Sequence, residues 1–157
     1  MTEAIHPHES DAWIRQTRRM LDSFERWTGH SLIPRIDPQS DSTALYHAEF
    51  VVVAHGTQDD PLLNFGNLAA LSLWSMDLDQ FLGTPSRRTA EPVHRSERAE
   101  LMRRTLADGF IDDYSGIRIA SDGSRFQIHR AIVWNVLDED GEHAGQAATF
   151  SDWSPVV

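Results

Sequence analysis

The groups in this sequence that could do chemistry are eight histidines, 24 carboxylates and a few amides set among apolar residues. Two histidines stand in the run His6-Pro7-His8-Glu9, whose ligand types suit a divalent metal. No neighbouring pattern fixes them, so a flexible tail over residues 1–9 with incidental histidines is the better account, and no metal site is assigned. His55 follows an apolar run, His94 opens a helical stretch and His129 falls mid-strand. Asp112 and Asp113 adjoin Tyr114, but neighbours on a strand point to opposite faces, so the two acids should not share a site. No nucleophile–base pair and no glycine-rich phosphate loop stands out, so no catalytic residue is assigned. The enzymatic alternative is general acid–base work by Tyr46, His55 or Asp113 on a cone-shaped α+β fold of the nuclear-transport-factor-2 type.

Two absences remove more chemistry than these residues supply. The chain has no cysteine, which excludes disulfides, thiolate metal sites, a cysteine nucleophile and a chromophore tethered through sulfur. All 14 basic residues are arginine, so Schiff-base chemistry and the lysine of a phosphate-binding loop are excluded as well. A formal net charge of -10 disfavours nucleic acid as a partner. Apolar runs of only a few residues do not span a membrane. No basic segment followed by an apolar run marks a signal peptide, and the expected location is cytoplasmic. At 157 residues the chain is long enough to bury a core.

The elements that must position these groups follow from periodicity. Ser10 caps a helix over residues 11–28 whose apolar stripe is Trp13, Thr17, Met20, Phe24 and Trp27, and Gly29 ends it. A stripe this aromatic suits a homodimer interface, the expected assembly, or equally packing on the domain's own sheet. Residues 31–43 read as a connector and 44–48 as one helical turn, and the core domain is placed at 44–157 after an N-terminal helix and connector at 10–43. A buried strand at 50–54, a turn and a second strand at 62–65 follow. Asn67 caps an apolar helix, and Asp77 with Gln80 forms a capping-box pattern. A longer helix at 93–107 presents Ala99, Met102 and Leu106 on one face. Three strands at 111–120, 125–137 and 142–150 are joined by Asp122-Gly123 and Asp140-Gly141 turns. The fold class is therefore α+β, a five-stranded antiparallel sheet with helices on one face and an N-terminal helical extension.

This order of elements resembles a PAS domain. More narrowly, FVVVAHGTQDDP at 50–61, NFGNLAAL at 64–71, TAEP at 89–92, GFIDDYSG at 109–116, VWN at 133–135 and GQAATF at 145–150 are similar to the MEKHLA domain, in its free-standing microbial branch. The resemblance implies a PAS-like, non-enzymatic sensory domain that binds a small, mostly apolar ligand and signals by homo- or hetero-association. It carries no DNA-binding role and no ligand residue that transfers by position. Its pocket would lie between the inner sheet face and the short helices, with Phe65, Leu71, Trp74, Phe81 and Trp134 as walls and Asn67 and Asn135 as polar anchors. A filled core with Asn67 as a plain cap is the competing account. The ligand is not identified. Flavin or haem without a covalent link stays open in principle, with His94 as the haem candidate, although a cap-adjacent histidine explains that residue better.

Overall fold

Local signals at both ends fix the first helix. The Ser10 side chain accepts from the Trp13 N–H, and Gly29 closes the helix in the left-handed conformation, bounding α1 at Asp11–Thr28. These bounds and the others below come from a computed structural model that describes residues 6–157. Four further helices follow, α2 (Pro38–Tyr46), α3 (Leu68–Trp74), α4 (Leu78–Phe81) and α5 (Arg95–Asp108). The strands are β1 (Val51–His55), β2 (Leu63–Gly66), β3 (Phe110–Ile119), β4 (Arg125–Leu137), β5 (His143–Phe150) and β6 (Asp152–Val156). The sheet is antiparallel with the order β2-β1-β5-β4-β3. The α+β class and the antiparallel sheet are as the sequence implies, with one strand, β6, beyond the five expected.

Burial sorts the two sheet faces. Toward α1 lie Phe65, Ala54, Trp134 and Val136, in one cluster with Trp13, Met20, Leu21 and Phe24. Trp13 stacks on Phe65 at 4.4 Å between centroids, and Phe24 meets Trp134 edge-on at 5.1 Å. The Trp134 indole donates to the Met20 carbonyl at 3.0 Å, and the Trp27 indole to the Asn135 carbonyl at 2.9 Å. Toward α3, α4 and α5 lie Leu63, Phe126, Ile128, Ala131 and Phe150, packed with Leu71, Trp74 and Phe81.

Several expectations change. The aromatic stripe of α1 is consumed by the chain's own sheet, which removes the reason to build a homodimer through that face. Residues 1–5 of the expected flexible tail lie outside the described residues. The remainder is not loose: Pro7–Glu9 forms a 3-10 turn, His8 is buried, and its ring stacks on Tyr46 at 4.7 Å. The connector contains α2, with Asp37 accepting from the Ser40 N–H and Pro38 in the first turn. In α5 the inward residues are Arg98, Leu101 and Thr105, whereas Ala99 and Leu106 face solvent. The inward set contains an arginine and a threonine, so apolar periodicity finds the half-buried Met102 and misses the rest of the stripe. A sixth strand, β6, extends the edge vacated by β5 and pairs with β4 between Arg125 and His129.

Candidate functional site

Strand alternation places one row of side chains under the helices. On β4 that row is Ile128, Ala131 and Val133, kept in phase by an irregularity at His129 and Arg130, where Arg130 has φ 51°. Val53 and His55 of β1, Leu63 of β2, Tyr114 and Arg118 of β3, and Gln146 and Phe150 of β5 extend the floor. Trp74 of α3, Phe81 of α4 and Arg98, Leu101 and Met102 of α5 form the roof, with Ser86 and Thr89 from a 3-10 turn closing one side. Together they enclose a cavity of about 80 Å³, partly open to solvent and mostly apolar.

The few polar groups in this wall are short of partners. The Trp74 indole nitrogen, the Tyr114 hydroxyl and Gln146 Oε1 are buried with no hydrogen-bond partner among the described residues. Gln146 is held by its other amide atom, which donates to the Met102 carbonyl at 3.0 Å and to Asn135 Oδ1 at 3.1 Å. Arg98 and Arg118 are each 8% exposed. Arg98 donates to the Ser86 hydroxyl. Arg118 donates to the Ile117 carbonyl at 3.0 Å, and its guanidinium lies 5.4 Å from the Tyr114 ring centroid. Burial, and secondarily the positive charge of Arg118, pull the Arg98 pKa down to about 10. Burial also holds the His55 imidazole below its ordinary value, against the Gly56 carbonyl at 3.0 Å, while Arg98 and His143 push the same way as burial.

With this geometry in place, the comparisons with known proteins are decisive for the family. Residues 14–155 match the MEKHLA domain model. This chain belongs to the MEKHLA domain family. Solved structures similar to this MEKHLA domain include the PAS domain of a protein from Colwellia psychrerythraea, at TM-score 0.62 and 14% identity over 75% of this chain and 95% of that one. A light-oxygen-voltage domain studied with a flavin analogue gives TM-score 0.56 and 21% identity over 75% and 85%. An RNA-binding light-oxygen-voltage receptor gives 0.61 and 19% over 78% of this chain and 36% of that one. These likenesses establish a PAS-like fold. Comparison with curated protein sequences gives no match.

A flavin does not fit this MEKHLA domain as its side chains stand. A cavity of about 80 Å³ is small beside the roughly 150 Å³ hole that takes benzene, and ligand pockets usually run to several hundred Å³. There is also no thiol anywhere in the chain. His94, the haem candidate, ends a 3-10 turn and is not among the cavity-lining residues.

Of the seven residues named from sequence, Trp74 and Phe81 line the cavity and five do not. Trp134 has the opposite parity to Val133 and points at α1. Phe65 points there too, because a register shift at Ala54/His55 puts Leu63 and Phe65 on different faces despite their spacing of two. Leu71 packs in the cluster beside the cavity. Asn67 is fully buried, accepts from Val52 and Ala70 N–H groups at 3.0 and 3.2 Å, and donates to Leu45 and Phe50 carbonyls at 3.1 and 2.9 Å. Its four bonds fasten α3, the end of α2 and β1, with none left for a ligand. Asn135 stands behind Gln146 and donates to the Thr105 carbonyl at 2.9 Å.

Pattern reading passes over Arg98, Arg118 and Gln146. A signal existed for each: Arg118 shares strand parity with Gly116 and Ala120, Arg98 lies one helical turn before Leu101, and Gln146 interrupts a run of small residues. Among the enzymatic candidates, Tyr46 packs against His8 and Trp13, Asp113 is exposed, and only His55 reaches the cavity. The three do not converge. Ligand atoms of His6, His8 and Glu9 lie within 4.8 Å of one another, and this is the group that could hold a metal among the described residues. No helix there is long and apolar enough to cross a membrane.

Proposed function

We propose that this MEKHLA domain is a non-enzymatic sensory module that binds a small, mostly apolar ligand between its sheet and α3–α5 and signals by association with itself or a partner. The observation that carries the proposal is the wall of the cavity. It combines aromatic and aliphatic side chains with three buried polar atoms that have no partner among the described residues. Folded proteins satisfy nearly all such atoms, so a cluster of them around one hollow supports a ligand that completes the set. The PAS-like fold is consistent with that use, and the divergence of Tyr46, His55 and Asp113 argues against acid–base catalysis. Association, in this reading, uses a surface other than the apolar face of α1.

The test is native mass spectrometry of the purified chain, followed by sedimentation with and without any compound it retains. Retention of a small molecule whose removal lowers Tm and shifts the oligomeric state is the expected result. A ligand-free monomer that no compound in a broad metabolite panel stabilises would overturn the proposal.

A further inference from the structure

Arg98 and Arg118 project from different elements, the first turn of α5 and the C-terminal end of β3, into the same cavity. Each is more than nine-tenths buried, and neither is paired with a carboxylate among the described residues. Asp60, whose charge is felt at Arg98, is itself engaged by Arg87 at 3.1 Å. Elsewhere in the chain arginines find acids readily: Arg35 holds Asp22, Glu25 and Asp41 at 3.0, 2.8 and 2.8 Å. An acidic protein with carboxylates to spare has left two of its most buried cations without one, in the wall of one cavity and with like charges that oppose each other.

Burying an unpaired charge is costly, and burying two of like sign more so, unless something anionic joins them. We infer that the ligand of this cavity is a small amphipathic anion, with its carboxylate or phosphate held between Arg98 and Arg118 and a body of at most one ring against Ile128, Val133 and Phe150. This inference rests on the ligand-binding reading above and adds the charge of the ligand to it. Guanidinium forks suit either head group. Tyr114 Oη and Trp74 Nε1, both without partners, supply further hydrogens for an anion. Gln146 Oε1 is an acceptor and calls for a donor elsewhere on the ligand or for a water. The hollow, smaller than a benzene site and partly open to solvent, makes one ring the upper limit of that body.

The test titrates the full chain with benzoate, hexanoate and hexyl phosphate, and with benzamide and hexanamide as neutral counterparts. Isothermal calorimetry reads affinity and thermal shift reads stabilisation. At least one anion should bind about tenfold or more tighter than its amide, the scale of a charge-assisted hydrogen bond. Arg98→Gln and Arg118→Gln should each weaken the anion by a similar factor and leave the amide within about threefold, the size of a lost neutral contact. Hexanoate without hexyl phosphate assigns a carboxylate head, and the reverse assigns a phosphate. Amides binding as tightly as anions, or anion affinity indifferent to both substitutions, overturns the inference and leaves the apolar-ligand reading standing. No binding by any member of the panel overturns the anion inference, while the ligand-binding reading falls only with the broader metabolite panel above. If either variant fails to fold, the acid-against-amide comparison on the unaltered chain still decides.

Discussion

Replacing Asn67 with alanine removes a side chain that takes no part in the cavity yet joins three elements. Its carboxamide is fully buried and makes four hydrogen bonds between 2.9 and 3.2 Å. The Leu45 carbonyl keeps another donor, the Ala48 N–H at 3.3 Å, so its loss is partial. The Val52 N–H, the Phe50 carbonyl and the Ala70 N–H lose their asparagine partner inside the protein. At about 1 kcal/mol for each broken bond, and more where a buried group is stranded, the cost of Asn67→Ala is about 3–5 kcal/mol. That is a large share of the roughly 5–15 kcal/mol a domain of this kind has. The corresponding fall in Tm is about 6–20 °C at 2–4 °C per kcal/mol for this chain length. Urea unfolding followed by fluorescence of the five tryptophans measures it, and an unchanged m-value shows that only stability moved. Asn67→Asp keeps the acceptor and sets a carboxylate against two carbonyls, so it should cost at least as much. A loss below about 1 kcal/mol, the value of an exposed helix cap, would refute the claim that Asn67 is a structural clasp.

Gly145 has φ 146°, and a Cβ there would sit 2.1 Å from the His55 carbonyl oxygen; Gly145→Ala should therefore cost about 3 kcal/mol or more, read by urea unfolding. Gly123→Ala, whose Cβ meets open space, should cost only about 1–2 kcal/mol. Burial, then His47, lowers the His8 pKa below 6.5, so its neutral ring adds stability present above pH 6.5 and lost as pH falls through the lowered value. His8→Phe should keep the stacking on Tyr46 and flatten Tm between pH 7 and 5 relative to the unaltered chain. The hydrogen bond from Arg19 holds the Glu139 carboxyl down at about 2, so its contribution is complete above pH 4.5 and disappears as pH falls toward 2. Glu139→Gln should blunt that acid limb, and because the pair is exposed the difference should shrink in high salt.

The architecture was legible wherever local chemistry and periodicity agree. Ser10 and Gly29 bound α1 to the residue, the Asp77–Gln80 capping box is present, and the β4 range is unchanged. The second helix was missed because only its cap is written locally. Asp37-Pro38 opens it, but its buried side is Asp41, Ser42, Leu45 and Tyr46, half of it polar, so no apolar stripe announces it. The fate of the α1 stripe was undecidable for a different reason. An aromatic face is equally good against a sheet or against a second copy, and only the position of Phe65 and Trp134 on the outer face of the sheet settles it.

The site was harder to read than the fold because its informative residues violate the rule used to find it. Searching for large apolar side chains near short helices gave Trp134 and Phe65, which belong to the other face, since one bulge in β1–β2 and one step of strand parity are enough to exchange faces. What distinguishes the cavity from the rest of the core is charge, Arg98 and Arg118 without acids; Tyr114, Trp74 and Gln146 add atoms left over, as His8, Trp13 and Thr17 do on the α1 side. An arginine at an inward strand or helix position is ordinarily discounted as solvent-facing, and here that discount hides the cations. The same observation links stability to function. If the two guanidiniums are held apart from acids for a ligand, then Arg118→Leu, which removes one buried charge and keeps an apolar wall, should raise Tm of the ligand-free chain while weakening anion binding about tenfold or more. Thermal unfolding with and without the anion reads both effects. A fall in Tm would mean that the Arg118 charge is repaid within the protein, and the argument for an anionic ligand would lose its basis.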